Sequence, residues 1–234
     1  MKNDLATQAK PILLLLGVCA VLVGAVAWLI NGGPQTAELT SSETIPAPLT
    51  AEKLAAYDVD ITNDMNPIAV LNTNMGTIEI ELFEDKMPIT AGNFKKLINE
   101  GYYDGIKFHR VMDGFMIQGG DPITKTNEVL KYGTGGPGYS IPDEFVKHDL
   151  LSNVRGTLAM ANSGPNTGGS QFFINLVDNT YLDFDKAPLE SKHPVFGRVV
   201  SGMDVVDAIG QVETNMTNLP LEDVVIESAT IKNQ

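Results

Sequence analysis

The segment FHRVMDGFMIQGGD, residues 108–121, places polar side chains among large apolar ones. Arg110 and Gln118 carry hydrogen-bond donors, whereas Phe115 and Met116 supply apolar surface. This mixture is typical of a concave binding site with an apolar floor and a few convergent polar groups. The alternative is a plain strand, bulge and strand in which Arg110 pairs with a surface carboxylate.

A second polar segment, MANSGPNTGGSQFFIN at residues 160–175, joins two apolar runs through a glycine-rich loop. Asn162 and Gln171 can each donate and accept hydrogen bonds, so they suit a site that holds an extended peptide backbone as a neighbouring strand would. The alternative is a long hairpin loop whose amides bond to its own backbone.

Other chemistries have weaker support in the sequence. Ser170 follows two glycines but lacks the motif-linked base and acid of a hydrolase nucleophile. The glycine-rich stretch 133–138 lacks the Lys-Ser/Thr that follows a phosphate loop. One Cys and three scattered His provide no zinc-ligand spacing, so we expect no metal and no cofactor. The formal net charge of −13 argues against a nucleic-acid partner.

The elements that must position these residues are mostly short strands. Two helices are predicted, one over Pro88–Gly101, where apolar residues recur at helical spacing, and one over Met203–Ile209. Many short strands with two isolated helices predict a mainly β fold, a closed eight-stranded antiparallel barrel capped by the helices. The eight predicted strands are 68–72, 78–82, 108–111, 115–118, 158–160, 172–176, 195–200 and 224–231.

The N-terminal region has a different character from the rest of the chain. Residues 12–30 form an uninterrupted apolar run, long enough as a helix to cross a bilayer, and predict a transmembrane anchor. Lys2 and Lys10 precede the run and no basic residue follows before Lys53, which predicts a cytoplasmic N-terminus over residues 1–11. A cleaved signal peptide is the alternative, since Ala25-Val26-Ala27 has the small residues of a cleavage site.

Residues 31–65 contain several breakers of regular structure and six acidic residues against one basic one, which predicts an acidic linker. Residues 66–234 then form the folded domain. With its single Cys in the apolar leader, the chain is predicted to be a single-pass protein of a bacterial inner membrane, with its domain in the periplasm.

The two polar segments together resemble the cyclophilin family of peptidyl-prolyl cis-trans isomerases. The family's FHR-x-x-x-G-F-M-x-Q-G-G-D run corresponds to residues 108–121, and its M-A-N-x-G-P-N-T-x-G-S-Q-F-F run to residues 160–173. Its V-F-G element corresponds to residues 195–197. Further matches at 76–77, 90–94 and 133–136 extend the resemblance over essentially all of residues 66–234.

The resemblance implies a role for each matching residue. Arg110 would be the catalytic arginine, and His193 the histidine at the edge of the pocket. The proline pocket would be formed by Phe115, Met116, Phe173 and Leu182, with Tyr181 at its rim. The substrate backbone would be contacted by Gln118, Ala161, Asn162 and Gln171.

Two departures from the family pattern touch the rim of this pocket. Tyr181 stands where many eukaryotic cyclophilins have tryptophan, and an eight-residue insertion, 184–191, precedes Lys192-His193. Tyrosine keeps an aromatic wall but loses the indole N–H, so we expect at most weak binding of cyclosporin. The insertion is expected to alter peptide preference.

The expected activity is isomerisation of Xaa-Pro bonds in unfolded or exported polypeptides. Rotation about the amide is opposed by a barrier of about 18–20 kcal/mol, and a guanidinium such as that of Arg110 can stabilise the twisted state. Proline-containing polypeptides are therefore the expected partners. The alternative is a membrane-tethered chaperone module that binds peptides, with incidental isomerase activity.

Overall fold

A computed structural model of the chain describes residues 66–187 and 192–232. The predicted N-terminus, membrane anchor and linker, residues 1–65, lie outside the described residues, as does the second half of the 184–191 insertion. Within the described ranges, no helix combines the length and the apolar character needed to cross a membrane.

The described part of the chain is built around one antiparallel sheet of eight strands. In chain order the strands are β1 (Ile68–Thr73), β2 (Gly76–Leu82), β3 (Arg110–Met112), β4 (Met116–Gly119), β5 (Thr157–Met160), β6 (Phe172–Asn175), β7 (Val195–Ser201) and β8 (Ile226–Lys232). In space they follow the order β3-β4-β6-β5-β7-β2-β1-β8.

Helices lie between the strands. The two α-helices are α1 (Pro88–Asn99) and α2 (Met203–Gly210). Short 3₁₀ helices occupy Pro122–Lys125, Val129–Lys131, Asp149–Leu151 and Thr180–Leu182. The mainly β fold, the eight antiparallel strands and the two helices confirm the sequence prediction.

The predicted closure of the barrel is wrong, and the sheet is a half-barrel. Its edge strands β3 and β8 do not form a ladder with each other. Because β3 has only three residues, irregular chain crosses the gap instead: the Phe108 amide donates to the Val224 carbonyl at 2.9 Å, and the Val111 amide to the Asn218 carbonyl at 2.8 Å. These bonds satisfy backbone groups without a continuous pair of strands.

Helix α1 packs an aromatic cluster against one face of the sheet. The ring of Phe94 lies 4.8 Å from that of Tyr103, 5.2 Å from that of Phe172 and 5.3 Å from that of Phe196. The helix begins at Pro88, and a residue distant in the sequence caps its first amides. The Glu144 carboxylate accepts hydrogen bonds from the amides of Ile89 and Thr90. This aromatic cluster forms part of the hydrophobic core between helix α1 and the sheet.

Strand pleating separates the core from the candidate site. Val111 pairs across the sheet with Ile117, and Ile117 with Ile174, and all three side chains are buried. Since successive side chains point to opposite faces of a strand, the neighbouring row lies on the other face. That row consists of Arg110, Gln118 and Phe173, paired in the order β3-β4-β6.

Candidate functional site

The Arg110 side chain lies half-buried on β3, and both ends of its guanidinium are held. Nη1 donates to Oε1 of Gln118 at 3.2 Å, and Nη2 donates to Sδ of Met112 at 3.0 Å. The guanidinium carbon also lies 5.9 Å from the centre of the Phe115 ring. Burial lowers the pKa of Arg110 from its ordinary value, but an arginine remains protonated in proteins. The site therefore contains a fixed positive charge at the edge of an apolar surface.

A relay of side-chain amides connects this arginine with the glycine-rich loop 133–136. Gln118, bonded to Arg110 through Oε1, donates from Nε2 to Oε1 of Gln171 at 3.0 Å. Gln171 in turn donates from Nε2 to the carbonyl of Gly135 at 2.8 Å. Each amide thus uses its acceptor toward the arginine and its donor toward the loop, which fixes the orientation of both side chains.

The four predicted pocket residues, called the apolar floor below, are buried or half-buried. Met116 is 1% exposed, while Phe173 and Leu182 are each 5% exposed. Phe115 is half-buried at the turn between β3 and β4. The four residues come from three separate segments, and they offer apolar surface of the kind that suits a ring such as that of proline.

His193 lies at the edge of this floor despite the insertion that precedes it. Its ring meets the Phe173 ring edge-on, with the centroids 5.4 Å apart. Its Nδ1 lies 3.0 Å from the Met160 carbonyl, and its backbone amide donates to the Leu182 carbonyl at 3.1 Å. Burial lowers the pKa of His193 from its ordinary value, opposed by the Met160 carbonyl and by Asp143. The neutral imidazole is therefore favoured.

Asn162 and Ala161 follow β5 and face the same region. The Asn162 side chain donates from Nδ2 to the Lys192 carbonyl at 2.8 Å and accepts from the Gly164 amide at 3.3 Å. The Ala161 amide donates to the Gln171 carbonyl at 3.0 Å, which extends the pairing of β5 with β6. These bonds hold the 161–164 turn in place.

Tyr181 stands at the rim, at the centre of the 3₁₀ helix Thr180–Leu182. Its side chain is 49% exposed, and its hydroxyl donates to Oδ1 of Asn179 at 3.4 Å. Tyr181 thus presents an accessible aromatic wall rather than a buried one.

A polar groove of about 420 Å³ adjoins these residues. The groove and the predicted site share four residues, Gln118, Gln171, Ala161 and Asn162. The remaining lining of the groove includes the loop 133–136 and Tyr139. The Tyr139 hydroxyl donates to Oδ1 of Asn93 at 2.7 Å. The groove is large enough for a side chain of a peptide that crosses the site.

The loop 133–136 is anchored by a buried carboxylate. Asp121 is fully buried and accepts hydrogen bonds from the amides of Ile123, Gly133 and Gly135. A β-carbon at Gly135 would lie 2.1 Å from Oδ1 of Asp121, so the loop packs directly on the carboxylate.

Sequence reasoning missed Met112, Asp121 and Tyr139 as parts of this region. The sequence could have indicated Met112, because it lies two residues after Arg110 and thus on the same face of a strand. Asp121 before Pro122 is a typical helix-capping pair, and it caps the 3₁₀ helix Pro122–Lys125. No local pattern indicated Tyr139. No cluster of metal-binding side chains occurs among the described residues.

Comparisons with known proteins all find similarity to the same family of isomerases. The family model described as cyclophilin type peptidyl-prolyl cis-trans isomerase/CLD matches residues 68–231. The peptidyl-prolyl cis-trans isomerase-like 1 of Mus musculus is 42% identical over 167 residues, which are 70% of this chain and 91% of that protein.

Two further relatives differ in how much of their length is shared. A putative bifunctional phosphatase/peptidyl-prolyl cis-trans isomerase of Streptococcus pyogenes is 40% identical over 212 residues, and these are 78% of this chain but only 42% of that protein. The crystal structure of a cyclophilin type peptidyl-prolyl cis-trans isomerase of Cryptosporidium parvum superimposes with a TM-score of 0.61 at 30% identity, covering 72% of this chain and 99% of that one.

Proposed function

Since the chain belongs to the family of cyclophilin-type peptidyl-prolyl cis-trans isomerases, we propose that it accelerates Xaa-Pro isomerisation by stabilising the twisted amide with Arg110. Uncatalysed exchange at an Xaa-Pro bond takes tens to hundreds of seconds, slow enough to limit folding. No covalent bond breaks in this reaction, so the site needs neither a nucleophile nor a metal. It needs groups that bind the twisted amide more tightly than the planar one.

Arg110 has the chemistry for this selective binding. In the twisted amide the prolyl nitrogen loses its resonance with the carbonyl and becomes a hydrogen-bond acceptor. A guanidinium N–H can donate to that nitrogen, whereas the planar amide offers it no such acceptor. Because Gln118 already fixes Nη1, little of the arginine's freedom has to be lost when the substrate binds.

The apolar floor holds the proline ring while the other side of the bond turns. Phe173, Met116 and Leu182 are buried themselves, and a proline ring bound on them would exclude water from the reacting amide, which strengthens its electrostatic interaction with the guanidinium. Gln118 and Gln171 present amide groups that suit the neighbouring peptide backbone. The groove beside them suits the side chain of a residue near the proline.

The observation that carries the proposal is the cross-strand row of Arg110, Gln118 and Phe173. Register pairs the arginine with the amide and the amide with the aromatic ring, on the face opposite the core. A donor, an orienting group and an apolar surface thus lie side by side on rigid strands, as preorganised electrostatic catalysis requires.

The direct test is Arg110→Ala in the full-length chain, purified in mild detergent. Exchange NMR on a short Xaa-Pro peptide measures turnover without observing the protein itself. We expect turnover to fall roughly 10²- to 10³-fold, as it does when one preorganised donor is lost. Arg198→Ala is the matched control, because Arg198 is an exposed arginine that pairs with Glu81 on the surface. Nearly full turnover in a folded Arg110→Ala protein would refute the role of Arg110.

The second candidate is a peptide-binding chaperone module with incidental isomerase activity. It is favoured only by the apolar floor and the amides, which a binder also needs. Both candidates predict that Arg110→Ala still shifts the NMR signals of a proline peptide. The isomerase predicts that the wild type accelerates exchange efficiently and that Arg110→Ala loses most of this acceleration, whereas the chaperone module predicts at most slow exchange in the wild type.

The cellular setting rests on the sequence alone. The apolar run 12–30 supports a single-pass anchor in a bacterial inner membrane, which would hold the domain in the periplasm near exported, proline-containing chains. Detection of the full-length chain in the membrane fraction, with its domain accessible to protease added to the periplasm, is the expected result. Because Tyr181 lacks the indole N–H of a tryptophan, we expect at most weak binding of cyclosporin, and calorimetry would measure it.

A further inference from the structure

The catalytic guanidinium is held by two acceptors, and neither is charged. At one end Nη1 donates to the Gln118 amide oxygen, and at the other Nη2 donates to the Met112 thioether sulfur. None of the ion pairs in residues 66–187 and 192–232 includes Arg110. A half-buried arginine is therefore oriented without a carboxylate partner.

This choice of acceptors matters for the reaction. A carboxylate would bind the guanidinium in a bidentate pair, neutralise its charge and compete with the prolyl nitrogen for its donors. A thioether accepts weakly, so it can orient Nη2 and leave the positive charge available. Guanidinium has five N–H donors, of which these two contacts use two.

The position of Met112 is set by the sheet rather than by a flexible loop. It is two residues from Arg110 on β3 and pairs across the sheet with the buried Met116 of β4. The same strand pair thus carries the arginine, its amide partner and its sulfur partner. Pairing of β3 with β4 therefore fixes the backbone of Met112 relative to that of Arg110.

We propose that Met112 is a positioning residue for the isomerase reaction: its sulfur fixes the Nη2 end of the Arg110 guanidinium as a weak, uncharged acceptor. The proposal rests on the proposed function, because it assigns a role within that reaction. In this role Met112 acts on the substrate only through the arginine, so its loss lowers turnover more than it lowers binding.

Three substitutions separate the hydrogen bond from the bulk of the side chain. Met112→Leu keeps the volume of the side chain but removes the acceptor. We expect kcat to fall about three- to tenfold with KM nearly unchanged, because one modest hydrogen bond is lost. Met112→Gln restores an uncharged acceptor at similar reach, and we expect it to recover most of kcat. Met112→Glu supplies a charged acceptor, and we expect it to lower kcat at least as far as Met112→Leu does.

The measurement is NMR line-shape analysis of a proline peptide over a range of concentrations, which separates binding from turnover, with thermal melts to check folding. Met216→Leu is the matched control, since Met216 is fully exposed, and it should leave kcat unchanged. A wild type that does not accelerate exchange refutes the proposed function and this role with it. If the wild type is active, Met112→Leu with unchanged kcat, or Met112→Gln as slow as Met112→Leu, overturns the role of Met112 alone.

Discussion

Asp121 anchors the glycine-rich loop beside the site, and replacing it by asparagine tests that arrangement. Its buried carboxylate accepts three backbone amides: Oδ1 from Ile123 at 2.8 Å, and Oδ2 from both Gly133 and Gly135. Asparagine has nearly the same shape but only one acceptor oxygen. In its better orientation that oxygen serves the two glycines, and the NH₂ group then faces the Ile123 amide, donor against donor.

The expected loss of stability in Asp121→Asn follows from these three contacts. Two hydrogen bonds lose the extra strength that a charged acceptor gives, about 1 kcal/mol each, and one buried amide loses its partner at a cost of about 1–3 kcal/mol. Burying a neutral group instead of a charge offsets part of this loss. We expect Asp121→Asn to lower the free energy of unfolding by about 3 kcal/mol, and Tm by about 6–12 °C for a domain of this size.

Thermal melting followed by circular dichroism measures the stability of the full-length chain. Amide hydrogen exchange, read by mass spectrometry in peptides that cover 133–136, measures the loop itself and should speed up there more than in β1. Glu227→Gln is the matched control, because it also removes one negative charge but from an exposed position on β8. It should change Tm by less than about 2 °C, as most surface substitutions do.

Two results would refute this reasoning. A Tm for Asp121→Asn within about 2 °C of the wild type would mean that the carboxylate is not the anchor. A large fall in Tm without faster exchange in residues 133–136 would mean that Asp121 stabilises the domain by contacts other than those with the loop.

Two more predictions concern pH and backbone conformation. Burial lowers the pKa of His193, so its contribution to stability is complete above the unfolded pKa of about 6.5 and is lost as pH falls through that value toward the lower folded pKa. The free energy of unfolding, measured by urea denaturation, should therefore fall less between pH 6.5 and 5 for His193→Gln than for the wild type. The buried His109 contributes equally to both proteins. An equal fall of the free energy of unfolding in the two proteins would contradict this prediction. Gly202 has φ +81°, and a β-carbon there would lie 2.2 Å from the Thr77 carbonyl oxygen. Gly202→Ala should therefore lower the free energy of unfolding, measured by urea denaturation, by more than about 2 kcal/mol. A smaller loss would show that the turn can adjust.

Local patterns in the sequence were enough to locate most elements. The predicted helix Pro88–Gly101 is observed as Pro88–Asn99, and the predicted last strand 224–231 as Ile226–Lys232. Helical spacing of apolar residues and strand-length apolar runs depend on neighbours a few positions away, so a single sequence contains them. The boundaries moved by one or two residues where hydrogen bonding, rather than pattern, decides the end of an element.

Family motifs identified the candidate site residues but not their contacts. Arg110, Gln118 and Phe173 were named from the sequence, and their catalytic and binding roles stay predictions. Their alignment in one row depends on the register of β3, β4 and β6, which the motifs do not state. His193 was expected at the pocket edge, and its ring does meet that of Phe173 although an insertion lies between them in the chain.

By itself the sequence determined that this is a mainly β protein with an arginine among apolar residues, because helical periodicity and strand-length apolar runs are properties of short segments. Its motifs carried the resemblance to the cyclophilin family. Only the tertiary structure decided that the barrel stays open between β3 and β8, that Asp121 holds the loop 133–136, and that Met112 meets Arg110. Each of these contacts depends on strand register, side-chain rotamers and the approach of segments distant in the chain, and those are set by the packing of the whole domain.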